Sequence, residues 1–198
     1  MNDEFKTISS IAEGQYSEKR SKFLAFAIPV SNIDEIKELV TQYQKKYYDA
    51  RHVCYAYMLG ADRLVFRAND NGEPSGTAGK PILGQINSNG LTDILIIVIR
   101  YFGGIKLGTS GLIQAYKAAA TDAISNANII TKTVNEQVSF IYEFHMMNSV
   151  MKVIKDLNPK IINQVYDNDC SMTIQIRKGL MPELKLQLSK IETLHFTN

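Results

Sequence analysis

Cysteine and histidine are scarce in this 198-residue chain, with two of the first and three of the second. Cys54 and Cys170 stand too far apart for a CxxC element, so neither a redox dithiol nor a disulfide scaffold is expected; a reduced, cytoplasmic chain fits better. His52, His145 and His195 have no H-E-x-x-H or CxxC company, so no metal and no cofactor is expected. Long apolar runs are missing too. The longest of note, Ile94 to Ile99, is six residues, against about 20 for a membrane-spanning helix. The opening MNDEF has neither a basic nor an apolar region of the secretory kind. No membrane partner is expected. Charge of one sign is also lacking: 22 basic residues face 20 acidic ones. That excludes a polycationic tail and leaves a local basic patch open. Residues 133–198 hold seven basic and seven acidic residues, so the small positive excess lies in 1–132.

Nucleotide-binding signatures fail in a similar way. G-x-G-x-x-G is absent. Gly103 to Ser110 has the Walker A glycine spacing, but Thr109 follows Gly108 where that motif needs lysine. A nucleoside triphosphatase is not expected.

What the chain does have is 45% hydrophobic and 21% charged residues, an ordinary globular balance that builds a core. It also has an uneven glycine distribution. Ten of the 12 glycines fall between positions 60 and 111, so special backbone geometry is concentrated there. Ahead of that band, Phe5 to Ala12 and Lys22 to Val30 read as strands, with Gln15 to Arg20 as a hairpin connection. Ser31 is the expected cap of a helix whose apolar positions Ile33, Ile36, Leu39, Val40 and Tyr43 keep helical spacing. Arg51 to Leu59 and Leu64 to Ala68 read as strands. A helix is expected to start near 75–77 and run to about Ser88, with Pro81 in its first turn. Leu91 to Ile99 reads as a central strand buried on both faces. A long helix follows the second glycine turn and runs towards Asn128. Ile130 to Glu136 reads as a linker. After it the order β-α-β-β-α-β returns, a ferredoxin-like arrangement. The expectation is an α+β protein of two domains, 1–132 and 133–198.

Both glycine-rich turns lead into helix N-termini, where free N–H groups and the helix dipole favour an anion. Lys80 and Lys106 lie in those turns and Arg100 ends the strand between them. These groups, with Arg51 and the backbone around Gly104 and Gly108, are the candidate anion or nucleic-acid site. Arg63 and Arg67 extend it if their strands are adjacent. The other reading is that the glycines serve only tight turns and close packing. His52, Asp70 and Glu73 are candidate polar support. Asp70 and Glu73 form either a carboxylate pair or, separately, a turn cap and a partner for a nearby cation. His52 and Cys54 share a strand face but stand about 7 Å apart, too far for direct proton transfer. Tyr101 and Phe102 are either core or stacking surfaces for bases.

DNGEPSGTAGKPIL (Asp70 to Leu83) and RYFGGIKLGTSGLIQAY (Arg100 to Tyr116) resemble the two hallmark blocks of the IMPACT family, in its bacterial YigZ type. ARHVCYAY (Ala50 to Tyr57) and Ser21-Lys22-Phe23 resemble it too, and the likeness covers nearly the whole chain. The resemblance implies a first domain like the second domain of a small-subunit ribosomal protein. It implies a second domain like the fifth domain of elongation factor G. Eukaryotic members regulate translation through the starvation-kinase pathway and carry an additional RWD domain. These 198 residues have no counterpart of that domain, so the kinase role is not carried over. Asn71 and Ser110 stand where many relatives have Asp and Gly, which weakens a catalytic carboxylate pair.

The resulting expectation is a nonenzymatic nucleic-acid- or ribosome-binding protein, RNA favoured, with a role in regulating translation and no catalytic residue. The alternatives are an enzyme on a small phosphorylated or carboxylated substrate, and a protein-interaction module docking through the second domain's sheet.

Overall fold

The structure, a computed structural model, describes residues 3–167 and 169–197. It is an α+β protein of two compact units, one of residues 5–132 and the other of residues 1–4 with 133–198. The chain therefore passes from one unit to the other twice.

The larger unit is built on five strands: β2 (Ala12–Glu18), β3 (Ser21–Pro29), β4 (His52–Leu59), β5 (Val65–Asn69) and β6 (Ile94–Tyr101). They lie in the order β2-β3-β6-β4-β5, with antiparallel neighbours throughout. The apolar strand β6 sits in the middle. Ile94, Ile96 and Val98 face one way and Leu95, Ile97 and Ile99 the other, all fully buried. Period-two alternation explains the split, and helices on both sides explain the burial. Helix α1 (Ile33–Lys46) covers the second face through Ile36 and Val40. Helices α2 (Gly79–Ser88) and α3 (Gly108–Ser125) cover the first. Helix α3 lies close to the sheet because Ala115, Ala119, Ala120 and Ala123 form its buried side. Gly14 of β2 permits the approach, since a Cβ there would overlap the Ala123 and Asp122 backbone.

Several local expectations are corrected. The first strand stops at Ile8 (β1, Glu4–Ile8), and β2 starts separately at Ala12. Gln15 to Glu18 is strand, not connection. The turn is Lys19-Arg20 alone, both at positive φ (44° and 65°), a two-residue hairpin without the usual Asn or Gly. Asn32, not Ser31, caps α1: its Oδ1 accepts from Glu35 N at 2.9 Å, while the Glu35 carboxylate reaches back to Ser31 N. Strand β6 starts at Ile94 because Asp93 takes a positive φ of 51°. The segment read as a linker is β7 (Ile129–Thr133), paired with β1, followed by the start of β8.

The smaller unit runs β8 (Asn135–Glu143), α4 (Met147–Leu157), β9 (Lys160–Val165), β10 (Asp169–Arg177), α5 (Met181–Leu188) and β11 (His195–Thr197). Its antiparallel sheet has the order β11-β8-β10-β9. Alternate residues Val138, Phe140 and Tyr142 of β8 and Met172, Ile174 and Ile176 of β10 meet Val150, Ile154, Leu184 and Leu188 of the helices. Asp3 and Glu4 belong here, a difference from a division at 132/133. Asp3 takes two bonds from the Arg177 guanidinium, at 2.7 and 2.6 Å, and one from Gly179 N at 2.8 Å. The guanidinium holds the Asp3 carboxyl well below the usual carboxylate range. Among the described residues no helix is long and apolar enough to cross a membrane.

Candidate functional site

In the larger unit, Phe23, Arg100 and His52 sit side by side on β3, β6 and β4, in direct register. They lie on the face that α2 and α3 cover, one position beyond the apolar run of β6. The Arg100 guanidinium lies over the Phe23 ring (5.6 Å) and the Phe102 ring (5.5 Å) and is only 6% exposed. A buried guanidinium requires a counter-charge. Glu73 supplies it: Arg100 Nη1 donates to Glu73 Oε1 at 2.6 Å. Tyr116 of α3 donates to the same oxygen at 2.8 Å. Burial, with Cys54 and Glu73 beside it, pushes the Tyr116 phenol far up, so it stays a donor.

Asp70 and Glu73 do not act as a carboxylate pair. The Asp70 carboxylate accepts from Gly76 N (2.8 Å), Ala78 N (3.0 Å) and Gly79 N (2.8 Å). It thus supplies the anion at the start of α2, and the helix begins at Gly79 rather than near 75–77 because those bonds hold residues 76–78 in a turn. Burial raises the Asp70 pKa, but the three N–H bonds and nearby Lys80 outweigh it and leave the group below its ordinary value. The expectation that two helix N-termini present free N–H groups to one external anion is corrected accordingly. The N-terminus of α3 has no side-chain cap.

His52 is held from the other side. Its Nδ1 lies 2.8 Å from the Asn71 carbonyl oxygen. Asn71 sits at a φ of 42°, a conformation asparagine tolerates, and its Oδ1 also accepts from Val53 N. A carbonyl can only accept, so Nδ1 carries a hydrogen and the neutral ring keeps Nε2 as an acceptor. Nε2 is 3.8 Å from Glu73 Oε2. Cys54 is buried beneath. Its thiol donates to the Asp70 carbonyl at 2.9 Å, its sulfur is 3.3 Å from Tyr116 Oη, and burial pushes its pKa up to about 12. It is no nucleophile near neutral pH.

These groups open into a cleft of about 470 Å³. Arg51, Arg100, Lys106 and Gly108 line it together with His52 and Glu73, so six of the sequence candidates meet there. Arg51 and Lys106 are exposed. Lys80, Gly104 and Asp70 are not among its lining residues. Arg63 donates to Asn87 at 2.7 Å, and Arg67 lines a separate cavity against α1. Of the two candidate stacking rings, Phe102 borders the cleft. Tyr101 points the other way and donates to Asp49. Tyr116, Phe23 and Thr109 were not among the site candidates read from the sequence. The signal for Tyr116 is a lone phenol on a buried helix face built mostly of alanine. Among the described residues no group of three or more His, Cys, Asp and Glu side chains is placed to hold a metal ion.

Comparison with known proteins places this arrangement. The model of the Impact N-terminal domain matches residues 19–124, which include both glycine-rich blocks and every residue of the cleft. The chain belongs to the IMPACT family. It is 31% identical over 173 residues to the IMPACT family member YigZ of Escherichia coli K12, covering 86% of this chain and 85% of that one. It is 36% identical over 126 residues to the IMPACT family member YvyE of Bacillus subtilis 168, covering 64% and 58%. The rat protein IMPACT matches more narrowly, at 29% identity over 53% of this chain and 34% of its own length. A crystal structure of a hypothetical protein superposes with a TM-score of 0.75 at 27% identity, covering 99% of this chain and 97% of that one. The IMPACT match thus extends past the first domain into the smaller unit.

Proposed function

We propose that this IMPACT family member is a nonenzymatic nucleic-acid- or ribosome-binding protein of the cytoplasm, RNA favoured, with a role in regulating translation. The carrying observation is the grouping of Arg51, Lys106 and the uncapped first turn of α3 around one cleft. Exposed cations and free backbone N–H groups are what a phosphate recruits. Arg100 contributes positive potential and positions Glu73, rather than reaching out as a free phosphate contact. Lys80 and the turn at Gly104 are read as flanking contacts for a longer ligand. The β-α-β-β-α-β order of the smaller unit supports reading it as ferredoxin-like, similar to the fifth domain of elongation factor G. The larger unit is read as ribosomal-protein-like.

The test is RNA binding across a salt series. Affinity is expected to fall as salt rises, because each neutralised phosphate releases counterion. The variant Arg51→Ala/Lys106→Ala is expected to bind more weakly and to flatten the log–log salt slope by about 2. Unchanged affinity and slope would refute the assignment.

The second reading is an enzyme on a small phosphorylated substrate, favoured by one observation: His52 Nε2 and Glu73 Oε2 border the same cleft as the cations. Turnover of a phosphate ester, abolished in a folded His52→Phe variant, would support it over binding alone.

A further inference from the structure

Two hydrogen-bond acceptors in the cleft have no donor. In the neutral ring His52 Nε2 is an acceptor, because Nδ1 is committed to the Asn71 carbonyl. Glu73 Oε1 takes both bonds that reach its carboxylate, from Arg100 and Tyr116. Among the described residues no hydrogen-bond donor meets Nε2 or Oε2. The two atoms lie 3.8 Å apart, and their side chains are 14% and 3% exposed. Both residues line the cleft, so the two acceptors are open to a ligand there. Arg100 Nε is buried without a partner, a costly arrangement that native proteins rarely leave unanswered.

Two adjacent acceptors call for a ligand that presents two adjacent donors. An ammonium group has the donors, but Arg51, Arg100 and Lys106 line the same cleft and repel a cation. A metal ion meets the same repulsion and finds only two ligands. A neutral vicinal diol fits: each hydroxyl donates one hydrogen, and a carboxylate is a known partner of ribose hydroxyls in other folds. The rest of the cleft extends the match. Arg51, Lys106 and the start of α3 suit a phosphate, and the Phe102 ring, 44% exposed at the border, offers a face to a base. The volume, about 470 Å³, is that of a small-ligand site.

The geometry points to a ribose cis-diol as the group received by His52 Nε2 and Glu73 Oε2, carried by a phosphate-bearing ribonucleotide. The phosphate part of this assignment rests on the reading of the cations given above. The same chemistry comes from a free nucleotide or from the 3′ end of an RNA strand.

Calorimetric titration of the full chain distinguishes them. The probes are adenosine 5′-monophosphate, its 2′-deoxy analogue, and a short RNA ending either in a free cis-diol or in a 3′-phosphate. The diol form is expected to bind about tenfold or more tightly than the form lacking it, the value of a hydrogen bond to a charged acceptor. Discrimination with the mononucleotide identifies a free nucleotide; discrimination confined to the RNA identifies a strand end. In His52→Phe the ratio is expected to fall towards that of the single bond left to Glu73. Equal binding of the diol and deoxy ligands by the unaltered protein would overturn the assignment, and so would an undiminished ratio in folded His52→Phe. The ligand comparison needs no variant, so it holds even if His52→Phe fails to fold. Affinity for both mononucleotides left unchanged in Arg51→Ala/Lys106→Ala, with the diol discrimination kept, would sink the phosphate reading alone. Failure of every probe to bind would sink both.

Discussion

Glu73 Oε1 and Arg100 Nη1 meet at 2.6 Å between side chains that are 3% and 7% exposed. Neither charge has a second charged partner as close, so each depends on the other. Arg100→Met is expected to destabilise the larger unit by about 3–5 kcal/mol, because Glu73 would be left as an unpaired buried charge. Glu73→Leu/Arg100→Met is expected to cost less than the single change, since no lone ion remains. Urea unfolding of the two variants decides it. A double variant no more stable than Arg100→Met would show that the packing of Phe23 and Phe102 on the guanidinium matters more than charge.

Asp70 makes the start of α2 acid-sensitive. Its folded pKa lies below its ordinary value of 3.8. A depressed pKa means that its stabilisation is complete above the unfolded value and is lost as pH falls through the folded one. Asp70→Asn is expected to lower stability at pH 7 by about 0.5–2 kcal/mol, the range of a lost helix cap. It is also expected to flatten the decline of stability below pH 4. Unfolding midpoints of both proteins between pH 7 and pH 2 test this; parallel curves would count against it.

Cys54 and Cys170 are both buried. With the Cys54 thiol pushed up to about 12 by burial, thiolate is negligible near neutrality. A thiol reagent at pH 8 is expected to modify neither cysteine in the native protein and both after unfolding. Rapid native labelling of Cys54 would contradict the packing against Tyr116.

Gly14→Ala places a methyl group against the Ala123 backbone, which cannot move aside as a flexible side chain would. A loss of about 1–3 kcal/mol is expected. Gly84, with open space where its Cβ would lie, is the control. Gly84→Ala sits inside α2 and is expected to stabilise, by up to about 1 kcal/mol. Thermal melts of the two variants separate the cases.

The elements that could be read from sequence were those whose pattern is strong by itself. The unbroken apolar run of β6 can be buried only on both faces, and the spacing of α1 has one plausible fold. The Lys19-Arg20 turn was hidden because neither residue type signals a positive φ. Strand β7 was hidden because four of its five residues are exposed, which leaves no alternation to read. For the site, residue types indicated anion chemistry, and the two blocks located it. What could not be read was which groups neutralise one another. Asp70 and Glu73 are three residues apart, yet one serves a helix start and the other a strand end. Tyr116 reaches Glu73 across 43 residues, a closure that only the packing of α3 on the sheet determines.

The pairing of Asp3 with Arg177 has a consequence for synthesis. The partners are 174 residues apart, so at roughly 5–20 residues per second the acidic end waits about ten to thirty-five seconds for its arginine. Throughout that interval β1, whose first residue is Glu4, has no anchor on its acidic side. The smaller unit thus matures after the larger one during translation, and a fragment spanning only 133–198 would lack its clasp.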